Sequence, residues 1–147
     1  MKRKMQIPVA VALVGILLLG GCDQSTRPPQ LPVFRVTGEL FVDGRPASGA
    51  QVFFRAQPAI PGLGTIPVAI VASDGSFAPS TYGEQDGLPA GEYDLAVIWP
   101  KITVVEGEER TGPDQLGGKY SKPNVPVAHV TVGEGSLVIP RLELKRN

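Results

Sequence analysis

The sequence contains a single histidine, His129, so a two-histidine metal site and a serine–histidine pair would both depend on it. The alternation around it places His129 opposite Val130 and Val132, on the outward face of a strand. No nucleophile and no second ligand lie near it in the sequence. We therefore expect a solvated histidine and a protein that is not an enzyme.

Four carboxylates lie close together after Pro100, at Glu106, Glu108, Glu109 and Asp114. Calcium takes six to eight oxygen ligands, so such a cluster could bind it. The spaced Asp-x-Asp-x-Asp-Gly pattern of a calcium loop is missing from the sequence, which favours a solvated polar loop over residues 106–124. We predict no metal and no cofactor.

The only cysteine, Cys22, cannot form an intramolecular disulfide or a thiolate metal cluster within one chain. It follows a basic cluster at residues 2–4, an apolar run over residues 9–19 and the pair Gly20-Gly21. This is the layout of a secretory signal, and the apolar run is too short to cross a bilayer as a helix. Leu19-Gly20-Gly21-Cys22 resembles the lipobox of bacterial lipoproteins, in which the cysteine is lipidated and the signal is cut just before it.

The lipobox resemblance implies export, lipidation at Cys22 and a protein anchored to a membrane of the cell envelope by its acyl chains. Residues 1–21 would be a cleaved signal peptide, and residues 22–33 the lipidated cysteine with a proline-rich tether. Asp23 resembles the signal that keeps lipoproteins in the inner membrane of enteric bacteria. That rule does not hold in every bacterial group, so the sequence leaves the inner and the outer membrane open.

Residues 34–147 are expected to form one all-β domain. With 18 glycines, 15 prolines and 19% charged residues the chain is too rich in turns for a helical bundle, and 42% hydrophobic residues are too many for a disordered chain. Apolar residues alternate with polar ones, and Asp43-Gly44 and Asp74-Gly75 are typical turn signals. The pattern predicts a seven-stranded Greek-key β-sandwich, with strands near residues 34–42, 50–57, 68–72, 77, 91–99, 127–132 and 137–144.

Several motifs of this domain resemble the carboxypeptidase regulatory-like domain. They are Val36-Thr37-Gly38, Asp43-Gly44-Arg45-Pro46, Gly49-Ala50, Asp74-Gly75-Ser76-Phe77 and Leu88-Pro89-Ala90-Gly91-Glu92-Tyr93. The resemblance spans roughly residues 34–144 and implies a prealbumin-like, or transthyretin-like, sandwich of the kind found in secreted and surface bacterial proteins. It implies an architecture and no reaction.

Four aromatic residues are candidates for a surface contact. Phe41 and Phe53 fall on the polar side of their strands, and Tyr82 and Tyr120 fall in loops, whereas Tyr93 and Trp99 share the inward phase of the strand near residues 91–99 and are expected in the core. If the four candidates converge on one exposed patch, they favour a carbohydrate- or peptidoglycan-binding module.

The charge balance disfavours nucleic acid as a partner. Three of the 14 basic residues belong to the expected signal, so the mature chain has 11 basic against 14 acidic residues, and the basic residues are scattered singly. The leading hypothesis is a noncatalytic, membrane-tethered structural or interaction module that meets another envelope protein. The alternative is a module that binds an envelope polysaccharide.

Overall fold

The structure is a computed structural model that describes residues 27–146, so Cys22 and the expected signal peptide lie outside the described residues. Within this range all regular elements are strands, as the sequence predicted. No helix there is long and apolar enough to cross a membrane. The strands are β1 (Val33–Phe34), β2 (Val36–Val42), β3 (Arg45–Pro46), β4 (Gln51–Ala56), β5 (Val68–Ile70), β6 (Ser76–Phe77), β7 (Leu88–Pro89), β8 (Gly91–Ile98), β9 (Pro100–Val105), β10 (Glu108–Asp114), β11 (Ala128–Val132), β12 (Leu137–Val138) and β13 (Leu142–Leu144).

The strands form two larger sheets in a sandwich-like arrangement. The first sheet has the order β11-β8-β4-β5 and is antiparallel throughout. The second is built around β2, which pairs in parallel with β12 and β13 and antiparallel with β3 and β6. Two separate antiparallel ribbons, β1 with β7 and β9 with β10, complete the described chain.

The core contains alternate side chains of β2, β4 and β8, which confirms the inward phase expected for these strands. Leu40, Phe54 and Leu95 are fully buried, and the rings of Phe54 and Tyr93 meet edge to face with centroids 6.5 Å apart. The Tyr93 hydroxyl donates a 2.8 Å hydrogen bond to the carbonyl of Pro89. Burial raises the pKa of Tyr93 to about 12, so this hydroxyl stays protonated and keeps its donor at physiological pH.

Some segments differ from the strands that the sequence predicted. The expected strand over residues 137–144 is two short strands, β12 and β13, because Pro140 between them has no N–H to donate to the ladder. Trp99 lies just beyond β8 and is half-buried against the core. The polar loop expected over residues 106–124 begins instead as a strand, β10, which returns along β9.

Candidate functional site

Strands β9 and β10 form a hairpin over residues 100–114 that extends into solvent, and we call it the projecting hairpin. Every residue from 101 to 111 is exposed, so both faces of the ribbon are open to solvent. Glu106 and Gly107 connect the strands with φ angles of 53° and 82°. Positive φ at both central residues is the geometry of a two-residue turn whose twist matches that of the flanking strands.

The carboxylate of Asp114 holds the base of the projecting hairpin. One of its oxygens, Oδ1, accepts hydrogen bonds from the backbone N–H groups of Trp99 at 2.8 Å and Leu116 at 3.0 Å. The other, Oδ2, accepts one from the N–H of Gly118 at 2.9 Å. In addition, the N–H of Gln115 donates to the carbonyl of Trp99 at 2.7 Å. The ribbon therefore leaves the sandwich from a well-anchored base.

Three aliphatic side chains are exposed on the projecting hairpin. Val104 is 67% exposed, Ile102 50% and Val105 44%. Ile102 and Val104 are two residues apart and share one face of β9, where they lie opposite Thr111 and Glu109 of β10. Apolar side chains grouped on a protruding element, with polar residues beside them, are typical of protein interaction sites.

This surface was not predicted from the sequence. The available signal was the alternation Ile102-Thr103-Val104 followed by Glu106-Gly107, which is compatible with one strand of a tight hairpin. The acidic residues instead favoured a polar loop over residues 106–124. Asp114 turns its carboxylate to backbone N–H groups at the base of the hairpin, while Glu106 lies at its tip. In the part of the chain that the structure describes, no group of three histidine, cysteine, aspartate or glutamate residues is arranged to hold a metal ion.

Phe41 and Phe53, two of the aromatic candidates, lie on different sheets. Phe41 belongs to β2 and Phe53 to β4, and each lies between two buried neighbours along its strand, so each faces away from the core. The two side chains are therefore on opposite outer faces of the sandwich. Phe41 is also covered by the guanidinium group of Arg141, whose central carbon is 4.2 Å from the ring centroid.

Tyr82 and Tyr120, the other two candidates, use their hydroxyl groups to hold chain segments together. The Tyr82 hydroxyl accepts a 3.1 Å hydrogen bond from the N–H of Leu31. The Tyr120 hydroxyl donates to the carbonyl of Lys145 at 2.8 Å and accepts from the N–H of the same residue at 3.1 Å. All four aromatic candidates are half-buried, and the structure does not bring them together on one patch.

His129 is exposed on β11, as its phase predicted, and it meets a carboxylate across the strands. Its Nδ1 lies 2.8 Å from Oδ1 of Asp94, its direct partner on β8, and its Nε2 lies 3.9 Å from Oε1 of Glu92. The hydrogen bond to Asp94 raises the pKa of His129 above its usual value of 6.5. Among residues 27–146 no hydroxyl group is hydrogen-bonded to either member of the pair. The described contacts are those of a cross-strand ion pair.

Comparison with known proteins gives no family for this all-β, sandwich-like chain. The sequence matches no protein-family model and no curated protein. Among solved structures it is similar to a putative carbohydrate binding protein from Pseudomonas aeruginosa, with a TM-score of 0.43 and 12% sequence identity. The match covers 80% of this chain and 91% of that chain. A likeness at this level assigns neither a family nor a function.

Proposed function

We propose that this chain is an exported, noncatalytic lipoprotein, anchored to a membrane of the cell envelope through lipid on Cys22, and that its domain acts as a structural or protein-interaction module. The domain would be a seven-stranded Greek-key sandwich of the carboxypeptidase regulatory-like kind. The observation that carries the interaction role is the exposed apolar face of the projecting hairpin.

The apolar side chains of the projecting hairpin contribute little to folding, because Ile102 and Val104 keep half or more of their surface in water. Full burial of one such side chain contributes about 1.5–3 kcal/mol. A partner that covers both would therefore gain about 1 kcal/mol from each. The strands also have polar backbone groups along their free edges, which can pair with an extended segment of a partner.

Site-specific photocrosslinking in the native host tests the proposed surface. A photoreactive residue replaces Val104, and a matched control replaces Val138, which is 75% exposed on β12 away from the hairpin. We expect a discrete protein adduct from position 104 and none from position 138. The same adduct at both positions, or none at position 104, would contradict an interaction through the hairpin.

A double substitution tests the energetic part of the proposal. Ile102→Thr with Val104→Thr keeps β-branched residues, and hence strand propensity, while removing apolar surface. Crosslinking from a photoreactive residue at Thr111, on the same face of β10, should fall about tenfold, because a loss of about 1.4 kcal/mol corresponds to tenfold in affinity. Val138→Thr serves as the control. Equal adduct yields from the unmodified chain, the double variant and the Val138→Thr control would show that the aliphatic face is not the contact.

Membrane anchoring has its own test. Replacing Cys22 with serine removes the thiol that would carry the lipid, so the protein should leave the membrane fraction and remain folded. Fractionation followed by a salt wash measures the outcome. If the Cys22→Ser protein stays with the membranes after the wash, lipid on this residue is not the anchor.

A further inference from the structure

A cavity of about 360 Å³ lies at one end of the sandwich, and we call it the Trp99 cavity. It is lined by Val42, Asp43, Arg45, Trp99 and Arg146. Its volume falls within the ~300–1,000 Å³ that is usual for small-molecule sites. It is a different surface from the apolar face of the projecting hairpin, so it does not depend on the role proposed for that face.

Three parts of the chain that are far apart in sequence form this cavity, and hydrogen bonds hold two of them in place. The N–H of Asp43, at the turn between β2 and β3, donates to the carbonyl of Leu144 on β13 at 2.9 Å. The indole N–H of Trp99 donates to the carbonyl of Ser48 at 2.9 Å. The backbone at Asp43 and the indole of Trp99 are therefore positioned before any ligand arrives.

The charges of the Trp99 cavity are unbalanced. The guanidinium carbon of Arg146 lies 5.0 Å from the centroid of the Trp99 ring, which places the cation against the aromatic face. In the described part of the chain, neither Arg45 nor Arg146 has a carboxylate oxygen within 4.0 Å. Among the described residues that line the cavity, two are arginines and one, Asp43, is a carboxylate, so this lining has more positive than negative charge.

We propose that the Trp99 cavity binds a sugar that bears a carboxylate. Arginine matches a carboxylate with two parallel N–H donors, so Arg45 and Arg146 are suited to the acidic group. The Asp43 carboxylate is an acceptor for sugar hydroxyl groups. Trp99 holds the guanidinium of Arg146 against its ring, which positions this cation at the cavity. A bare oxyanion would be repelled by Asp43, and a neutral sugar would leave both arginines without a carboxylate partner, since the side chain of Arg146 donates only to the uncharged amide oxygen of Gln115, at 3.4 Å, among the described residues.

Isothermal titration of the full chain in detergent micelles tests this assignment. The probes are D-glucuronate, D-glucose and inorganic phosphate. We expect saturable binding of glucuronate in the millimolar range. Glucose should bind at least about tenfold more weakly, because it lacks the charged hydrogen-bonded contact, which contributes a factor of this size or more. Inorganic phosphate should also bind at least about tenfold more weakly, because Asp43 repels it and it has no sugar hydroxyl groups to donate to that carboxylate. Arg45→Gln and Arg146→Gln should each weaken glucuronate binding about tenfold.

Arg141→Gln is the matched control, since Arg141 is an exposed arginine that pairs with Glu39 at 2.9 Å and lies outside the cavity. Its glucuronate binding should equal that of the unmodified chain. Equal binding of glucose and glucuronate, phosphate binding as tight as glucuronate, or an equal loss from Arg141→Gln would each overturn the proposal. Crosslinking from position 104 is measured separately, so failure of this site is distinguishable from failure of the hairpin as an interaction surface.

Discussion

Replacing Asp114 with alanine should destabilise the base of the projecting hairpin, because three backbone N–H groups lose the carboxylate that accepts them. A hydrogen bond to a charged group contributes about 1.5–3 kcal/mol. Asp114 is half-buried, so water can reach part of the freed N–H groups, and we expect a total loss of about 3 kcal/mol for the three bonds. This corresponds to a fall in melting temperature of roughly 10 °C for a domain of this size.

Replacing Asp114 with asparagine should have a smaller effect. The amide oxygen can keep the two bonds from Trp99 and Leu116, while the amide nitrogen cannot accept the bond from Gly118. The expected loss is about 1–2 kcal/mol. The order of stability should therefore be aspartate, then asparagine, then alanine.

Urea unfolding of the two Asp114 variants measures these losses, followed by the fluorescence of Trp99, the only tryptophan in the chain, and by circular dichroism. Glu109→Ala is the control, because Glu109 is an exposed carboxylate on the same strand and has no described hydrogen bond through its side chain. Its stability should change by less than about 0.5 kcal/mol. If Asp114→Ala is as stable as this control, the carboxylate does not hold the hairpin and the reasoning is refuted.

Three further predictions concern the sandwich itself. By NMR titration, the pKa of His129 should exceed 6.5, and it should fall when Asp94 is replaced with asparagine. The raised pKa means that folding favours the protonated ring. The pair should therefore stabilise the fold below pH 6.5 and lose this effect as the pH rises through the folded-state pKa. An unshifted pKa would mean that the hydrogen bond does not form. Tyr93→Phe should lower the free energy of unfolding in urea by about 1 kcal/mol, because the buried main-chain carbonyl of Pro89 loses its hydrogen-bond donor. An unchanged free energy would show that water replaces the tyrosine hydroxyl. Gly87→Ala should reduce the yield of folded protein sharply, because Gly87 has a φ of 105° and an added Cβ would overlap the carbonyl of Phe34. A soluble variant that unfolds cooperatively would contradict this packing.

The candidate site residues show how much could be predicted from residue types alone. The sequence singled out Phe41 and Phe53 because both break the alternation of their strands. It could not show that they lie on opposite faces of the sandwich, since that depends on which sheet each strand joins. It likewise assigned Trp99 to the core from its phase with Leu95. The strand ends one residue earlier, and the indole lies at the rim of a cavity.

The sequence by itself determined the all-β class, the inward face of β2, β4 and β8, and the outward position of His129. These follow from local chemistry, because a period of two in hydrophobicity specifies which side of a strand is removed from water. Alternation does not say whether another layer covers the apolar side, and Ile102 and Val104 alternate with polar residues in this way yet are exposed.

Only the tertiary structure decided which distant residues meet. Asp43, Trp99 and Arg146 come together because β13 pairs in parallel with β2 and the turn after β2 faces the end of β8. His129 meets Asp94 for the same kind of reason, through the register of β11 on β8. Sheet order and register depend on how the whole core packs, and this is a property of the complete fold that no local stretch of sequence contains.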